Sequence, residues 1–278
     1  MDATANPVFG ADLDLDAYFA RIGYSGSRTP TVATLGAIAY AHATTIAFEN
    51  LDPFLGTPAR LDLASLQRKI VGNRRGGYCF EQNGLLLEVL EKLGFDVTPL
   101  AARVLWSGEI DAVPKRSHML LRVDIDGRPW VVDVGFGGMT LTGVLSLERD
   151  VEQATPHEPF RVIDLDGDYA MQAKVRDTWK TTYRFDLQRQ YRVDYVATNW
   201  YLSTSPESGF VQGLMLARPA ADRRFALNGR RLAVHHLDGP TERTEFTTAA
   251  GLIECLEETF LVHMPDWRPL ETAFGRLT

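Results

Sequence analysis

SHMLLRVDIDGRPWVVDVG, Ser117 to Gly135, reads as two β-type runs closed by Asp126-Gly127, and the parity of its residues organises the chain. Asp-Gly is a two-residue hairpin signal because both central positions of the favoured turn need φ > 0. If Ile125 faces Arg128, pairing runs back so that Leu120 faces Asp133 and His118 faces Gly135. Met119, Leu121, Val123 and Ile125 then share one side with Trp130, Val132 and Val134, an apolar surface fit for a core. His118 and Asp133 fall together on the other side as diagonal neighbours, about 7 to 8 Å apart between backbones, a gap their side chains can close. Gly135, opposite His118, leaves room for the imidazole.

A second stretch supplies what such a pair could serve. GNRRGGYCFEQN, Gly72 to Asn83, places Cys79 just before the helical run GLLLEVLEKLGF, so the thiol falls where a helix begins. The partial positive charge and unpaired N–H groups of a helix N-terminus favour a thiolate. Gly76 and Gly77 would let main-chain donors approach the sulfur as an oxyanion hole. The alternatives are a packed thiol for Cys79 and a structural hydrogen bond for His118. A cysteine nucleophile needs a base and the base an orienting acceptor, which His118 and Asp133 would supply. The hairpin alone does not bring Cys79 to them.

Upstream of the cysteine the chain reads as helical. TPTVATLGAIAYAHATT offers Thr29 as N-cap and Pro30 at the first helical position. DLASLQRKIVGN offers Asp62 as cap, Leu63, Leu66 and Ile70 as a stripe, and Gly72 as a stop. The helix from Cys79 carries Leu86, Leu90 and Leu93 on one face and ends at Gly94. Beyond Gly94, short β-type runs alternate with turn dipeptides such as Asp166-Gly167, the pattern of a small barrel or sandwich. From about residue 200 come strands with a hairpin at Asn228-Gly229, then a helix on which Cys255 reads as a packed thiol. The fold expected is α+β, with a helical bundle over 1–95, a β-barrel over 96–200 and a unit of strands plus one helix over 201–278.

Composition narrows the partners. The 278 residues are 45% hydrophobic and 23% charged, an ordinary globular balance. A net charge of -7 provides no basic field for nucleic acid or an anionic membrane, so a small-molecule or protein partner is expected. Cys79 and Cys255 form no CxxC pair, and MDATANPVFGADLDLD is acidic where a signal peptide would be basic, so the expected address is the cytoplasm. The most apolar run, PWVVDVGFGGMTLTGVLSL, is broken by Asp133 and four glycines and makes a poor membrane span. His235 and His236, adjacent on a strand, point to opposite faces; His42, His157 and His263 have no partner at ligand spacing, so no metal is expected.

RGGYCFEQN resembles the RGGxC signature of the arylamine N-acetyltransferases, and SHMLLRV, WVVDVGFGG and IAFENLDPFLG (Ile46 to Gly56) are similar to that family's histidine, aspartate and FENL segments, in the same order. The resemblance spans about the first half closely and the C-terminal third more loosely. It implies a helical bundle, a β-barrel and an α/β lid around a papain-like core with a Cys79-His118-Asp133 triad. It implies ping-pong chemistry in which acetyl-CoA, a consumed co-substrate, acetylates the thiol before an arylamine, hydrazine or arylhydroxylamine takes the acetyl group. By the same carry-over Ser117, Gly135, Phe136, Gly137 and His235 would lie against CoA, and Phe48, Phe80 and Phe136 would line the acceptor site. If Phe48 lines that site, Glu49 is carried towards Arg75, and an ion pair between them is expected. A papain-like or transglutaminase-like hydrolase is the enzymatic alternative, and a non-catalytic binding module the second.

Overall fold

The computed structural model describes residues 12–106 and 108–277. Its helical part comprises α1 (Leu15–Ile22), α2 (Val32–Thr45), the short α3 (Leu51–Phe54) and α4 (Leu63–Leu66), a π-helical segment (Gln67–Gly72) and α5 (Cys79–Lys92), with a two-residue strand β1 (Phe48–Glu49) between α2 and α3. The cap of α2 is Thr31, whose hydroxyl accepts from the Thr34 N–H, two residues beyond the expected Thr29; Pro30 stays outside the helix. Asp62 caps α4 as expected, accepting from the Ser65 N–H at 2.9 Å. Gly94, at φ +85°, follows α5 and ends it.

The barrel strands are β2 (Asp96–Val104), β3 (Arg116–Ile125), β4 (Arg128–Val132), β5 (Leu145–Ser146), β6 (Phe160–Leu165), β7 (Asp168–Val175) and β8 (Thr178–Phe185), in the order β5-β4-β3-β2-β8-β7-β6. The two edges nearly meet, because the chain after β5 bridges to β6 through Arg149–Val162 and Gln153–Phe160. Asp126 and Gly127 both have positive φ, as do Asp166 and Gly167, and both pairs close hairpins. The register Ile125↔Arg128 through Leu121↔Val132 is the one read from the sequence.

A helix α6 (Arg192–Thr204) follows, running through the expected boundary at residue 200, and α7 (Gly209–Gln212) comes next. Then β9 (Met215–Ala220), β10 (Arg223–Asn228), β11 (Arg231–His236) and β12 (Thr241–Glu245) form a five-stranded sheet in which β1 is the outer neighbour of β9, and α8 (Ala249–Glu258) and α9 (Arg268–Ala273) pack on it. The β10–β11 hairpin turns at Gly229-Arg230, one residue later than expected, so Asn228 is still paired in the strand, opposite Arg231.

The α+β architecture rests on three apolar clusters. The hairpin β3–β4 is buried on both sides: Met119, Leu121, Val123 and Val132 join Leu35, Ile38, Leu86 and Leu90 of the helices, whereas Leu120 and Val131 point into the barrel with Phe160, Met171 and Tyr183. The side that carries His118 and Asp133 is therefore the barrel interior, with that pair at its end.

Candidate active site

The start of α5 and the end of the β3–β4 hairpin meet. A Cβ on Gly135 would lie 2.8 Å from the Cys79 Cα, so only glycine lets the chain after β4 approach the helix this closely. The room that Gly135 leaves is thus filled by the Cys79 backbone rather than by the imidazole. The Cys79 thiol, 3% exposed, lies 3.6 Å from the Ser117 carbonyl and within hydrogen-bonding reach of His118. His118 Nε2 is 2.6 Å from Asp133 Oδ2, which leaves Nδ1 for the thiol.

Asp133 is held by more than the histidine. Its Oδ1 accepts from Asn83 Nδ2 and from the Gly135 N–H, each at 2.9 Å, and the Tyr183 hydroxyl also bonds to the carboxylate. Asn83 in turn donates to the Met119 carbonyl and accepts from the Val134 N–H. Burial by itself would raise the Asp133 carboxyl; the His118 charge and these hydrogen bonds reverse that and hold it below the ordinary carboxylate range. Burial would likewise lower His118, but the Asp133 charge and hydrogen bond, with a smaller contribution from Cys79, push it up to about 10. That direction favours the imidazolium form beside the Asp133 carboxylate. The rings of Phe136, edge-on at 5.2 Å, and Tyr183, at 4.9 Å, fix its plane.

Asn83 sits one helical turn after Cys79, on the same face of α5, a spacing readable in the sequence. Tyr183 comes from β8, and nothing local in the sequence marks it.

The two glycines before Cys79 do a different job from the one expected. A Cβ on Gly76 would sit 2.0 Å from the Ala47 carbonyl oxygen, and Gly77 pairs with the FENL strand, donating to Ala47 O and accepting from the Glu49 N–H. They seat the cysteine loop against β1. The N–H groups free at the helix start, among the described residues, are those of Cys79 and Phe80.

The expected Arg75–Glu49 pair is present and belongs to a larger cluster. Arg75 Nη2 lies 2.8 Å from Glu49 Oε1 and 2.9 Å from Asp52 Oδ1; Lys69 Nζ lies 2.7 Å from both Asp52 and Glu81. Glu81 Oε2 also accepts from the Tyr78 N–H, binding the cluster to the residue before the cysteine. Burial of Glu81, only partly offset by Lys69, raises its carboxyl to about 7.

Cys79 and His118 open into a cavity of about 630 Å³ between the barrel and the five-stranded sheet. Ser117, Gly135, Phe136, Gly137 and Phe48 line it, together with Trp106, Phe210, Met215 and Asn228. Phe80 does not: it is buried behind the site against Tyr78 and Tyr195. His235 is also outside the cavity, on β11 beside Thr241. His42 is fully buried between Tyr18 and Gln82, a packing role, and His157 bonds Thr142 and the Ala220 carbonyl. Among the described residues no group of His, Cys, Asp and Glu could hold a metal ion, and no helix is long and apolar enough to cross a membrane.

A helical bundle, a nearly closed barrel and a strand-helix unit join around a buried cysteine and a His-Asp pair in an α+β arrangement. The sequence model described as N-acetyltransferase matches residues 31–267. The arylamine N-acetyltransferase of Mycobacterium tuberculosis (H37Rv) is 46% identical over 258 residues, 91% of each chain. The solved structure of the M. tuberculosis enzyme superposes with a TM-score of 0.91 at 44% identity, covering 96% of this chain and all of that one. The M. marinum enzyme in complex with CoA also gives 0.91, at 41% identity, covering 95% and 99%. The chain belongs to the arylamine N-acetyltransferase family.

Proposed function

We propose that the protein transfers an acetyl group from acetyl-CoA to arylamines, arylhydrazines or arylhydroxylamines through a thioester on Cys79. The observation that carries this reading is the buried Cys79–His118–Asp133 array opening into a mostly apolar cavity. Family membership supports acetyl transfer, and the M. marinum relative in complex with CoA supports a CoA donor.

In the first half-reaction the Cys79 sulfur bonds to the acetyl carbonyl carbon, the bond from that carbon to the CoA sulfur breaks, and the His118 imidazolium gives its proton to the departing CoA thiolate. The N–H groups of Cys79 and Phe80 at the start of α5 are placed to take the developing oxyanion. In the second, the acceptor nitrogen attacks the Cys79 thioester, the Cys79 thiolate leaves, and His118 takes the proton from nitrogen. Asp133 holds the ring and its charge through both. The apolar walls keep water scarce, which favours the amine over hydrolysis. Ser117, Gly135, Phe136, Gly137 and Phe48 line the cavity; the first four are assigned to the acetyl-thioester end of CoA, and Phe48 and Phe136 to the aromatic acceptor.

The test is intact-protein mass spectrometry after brief exposure to acetyl-CoA without acceptor. An acetyl adduct that maps to Cys79 and disappears on adding an arylamine is the expected result; a reactive thiol that takes no acetyl group would instead fit a hydrolase. Asp133→Asn is expected to lower turnover by about 10⁴-fold, as tautomer control is lost. It should also slow alkylation of Cys79 by iodoacetamide near neutral pH, because the imidazolium loses its partner; an alkylation rate equal to wild type would count against the array.

A further inference from the structure

Half of the large apolar side chains that stand exposed among the described residues belong to α6 and its N-cap: Tyr191, Val193, Val196 and Trp200. Single exposed apolar residues are ordinary on a protein surface, but a contiguous stripe marks an interaction site. Val193, Val196, Ala197 and Trp200 follow the i, i+3, i+4, i+7 spacing and so share one face of the helix, turned away from the buried Tyr195, Asn199 and Leu202. Val193, Val196 and Trp200 are 72%, 58% and 65% exposed. The charges beside this stripe differ between its two ends. Along the C-terminal half of α6 an open pocket is lined by Arg103, Lys115 and Arg116 together with Ala197, Thr198 and Tyr201. Lys115 lies over the Tyr201 ring at 4.1 Å and donates to its hydroxyl; Arg116 pairs with Asp186, but neither Lys115 nor Arg103 has a carboxylate partner among the described residues. Near the N-terminus stands Asp194, three, four and seven residues before Ala197, Thr198 and Tyr201 and therefore on the same flank. One of its oxygens accepts from the Tyr191 N–H, and it pairs with no cation among the described residues, since Arg192 is taken by Glu88.

We propose that α6 is the contact through which two copies of this chain associate, their helices antiparallel about a two-fold axis that passes between Val196 and Ala197. A two-fold contact uses one patch twice, so the patch must complement itself. About this axis Val193 meets Trp200 of the partner subunit, and Val196 meets Ala197 of the partner subunit, which closes the apolar stripe on itself. Each Asp194 then comes level with Asn199 of the partner subunit, on the flank where the basic pocket opens between Thr198 and Tyr201. The apolar stripe alone sets the axis, so the arrival of an unpaired acid at unpaired bases is an independent agreement. Charges flanking an apolar seam in this way fix its register and orientation. A parallel pairing would leave both basic pockets without an acid.

The experiment is sedimentation velocity on the full chain over a series from about 1 to 200 μM, where a seam one helix long, a small interface, should show a passage from one copy to two. Val196→Glu sets two like charges beside the axis and should raise the dissociation constant about tenfold or more, with the far-UV spectrum unchanged because the position is exposed. Asp194→Lys and Lys115→Glu should each weaken self-association, since each sets like charges against one another at both ends of the seam. An equimolar mixture of those two variants should regain the two-copy species, because in the mixed pair every acid again faces a base. Should Asp194→Lys lower the unfolding midpoint through its lost bond to Tyr191, Val196→Glu decides alone. A one-copy mass for wild type across the whole series would overturn the proposal and leave the stripe to a different protein. A two-copy species indifferent to Val196→Glu, or a mixture of folded variants that associates no better than its components, would put the contact elsewhere and overturn it equally.

Discussion

Cys79→Ala is expected to lose acetyl transfer altogether, by roughly 10⁴-fold or more, while remaining folded. In the proposed mechanism the sulfur carries the acyl group in both half-reactions, so no neighbouring group can replace it. The cavity has no second thiol: Cys255 is buried in the cluster beneath α8, where burial pushes its thiol up to about 11. The change removes one atom from a site whose walls are held by other residues, with Asp133 still fixed by Asn83, the Gly135 N–H and Tyr183. The far-UV spectrum and unfolding midpoint should therefore stay close to wild type. Substantial turnover by the variant, measured as CoA released in the presence of an arylamine, would show that the acetyl group does not pass through Cys79.

The second large effect concerns stability. Three carboxylates, Glu49, Asp52 and Glu81, share two cations, Lys69 and Arg75, and Glu49 is wholly buried. Arg75→Met leaves three acids facing one lysine, and stranding a buried partner in this way costs about 3 to 5 kcal/mol. For a chain of this size that corresponds to a fall in Tm of roughly 10 °C. Activity should fall with it, because Glu81 also holds the Tyr78 N–H and the loop that presents Cys79. Glu49→Gln should be milder, since Arg75 keeps Asp52. The double variant should lose less than the sum of the two single changes. Strict additivity in denaturant unfolding would mean that the charges do not interact as the distances indicate.

The hairpin was readable because its pattern is local: a turn dipeptide and period-two alternation fix which residues share a side, and the observed register follows. The Arg75–Glu49 contact was legible from two charged segments that had to approach, but Lys69 and Asp52 were not, since each alone looks like a surface charge. Helix α6 was missed. Val193, Val196 and Trp200 lie exposed on its outer face while Tyr195 and Asn199 are buried, so the apolar periodicity that marks a surface helix is smeared. Gly76 and Gly77 were legible as close-approach positions, but sequence could not say that the approaching chain is β1. Phe80 went astray for a similar reason: position next to a nucleophile does not tell which way a helical side chain points, and this one points back into the bundle. The turn at Asn228-Gly229 slipped by one residue because glycine suits either central position, and that slip decides whether Asn228 faces the cavity.

Strand β3 belongs to two cores at once, giving Met119, Leu121, Val123 and Ile125 to the helices and Leu120 to the barrel. Opening either core exposes buried residues of the same strand, which couples the two. Unfolding should therefore be cooperative across the elements from α1 to β8, with no partly melted species in which the barrel survives without its helices. In a urea titration, loss of helical circular dichroism and hydrogen exchange of the β6–β8 backbone amides should share one midpoint, and barrel amides that stay protected after the helices melt would mean that the cores separate.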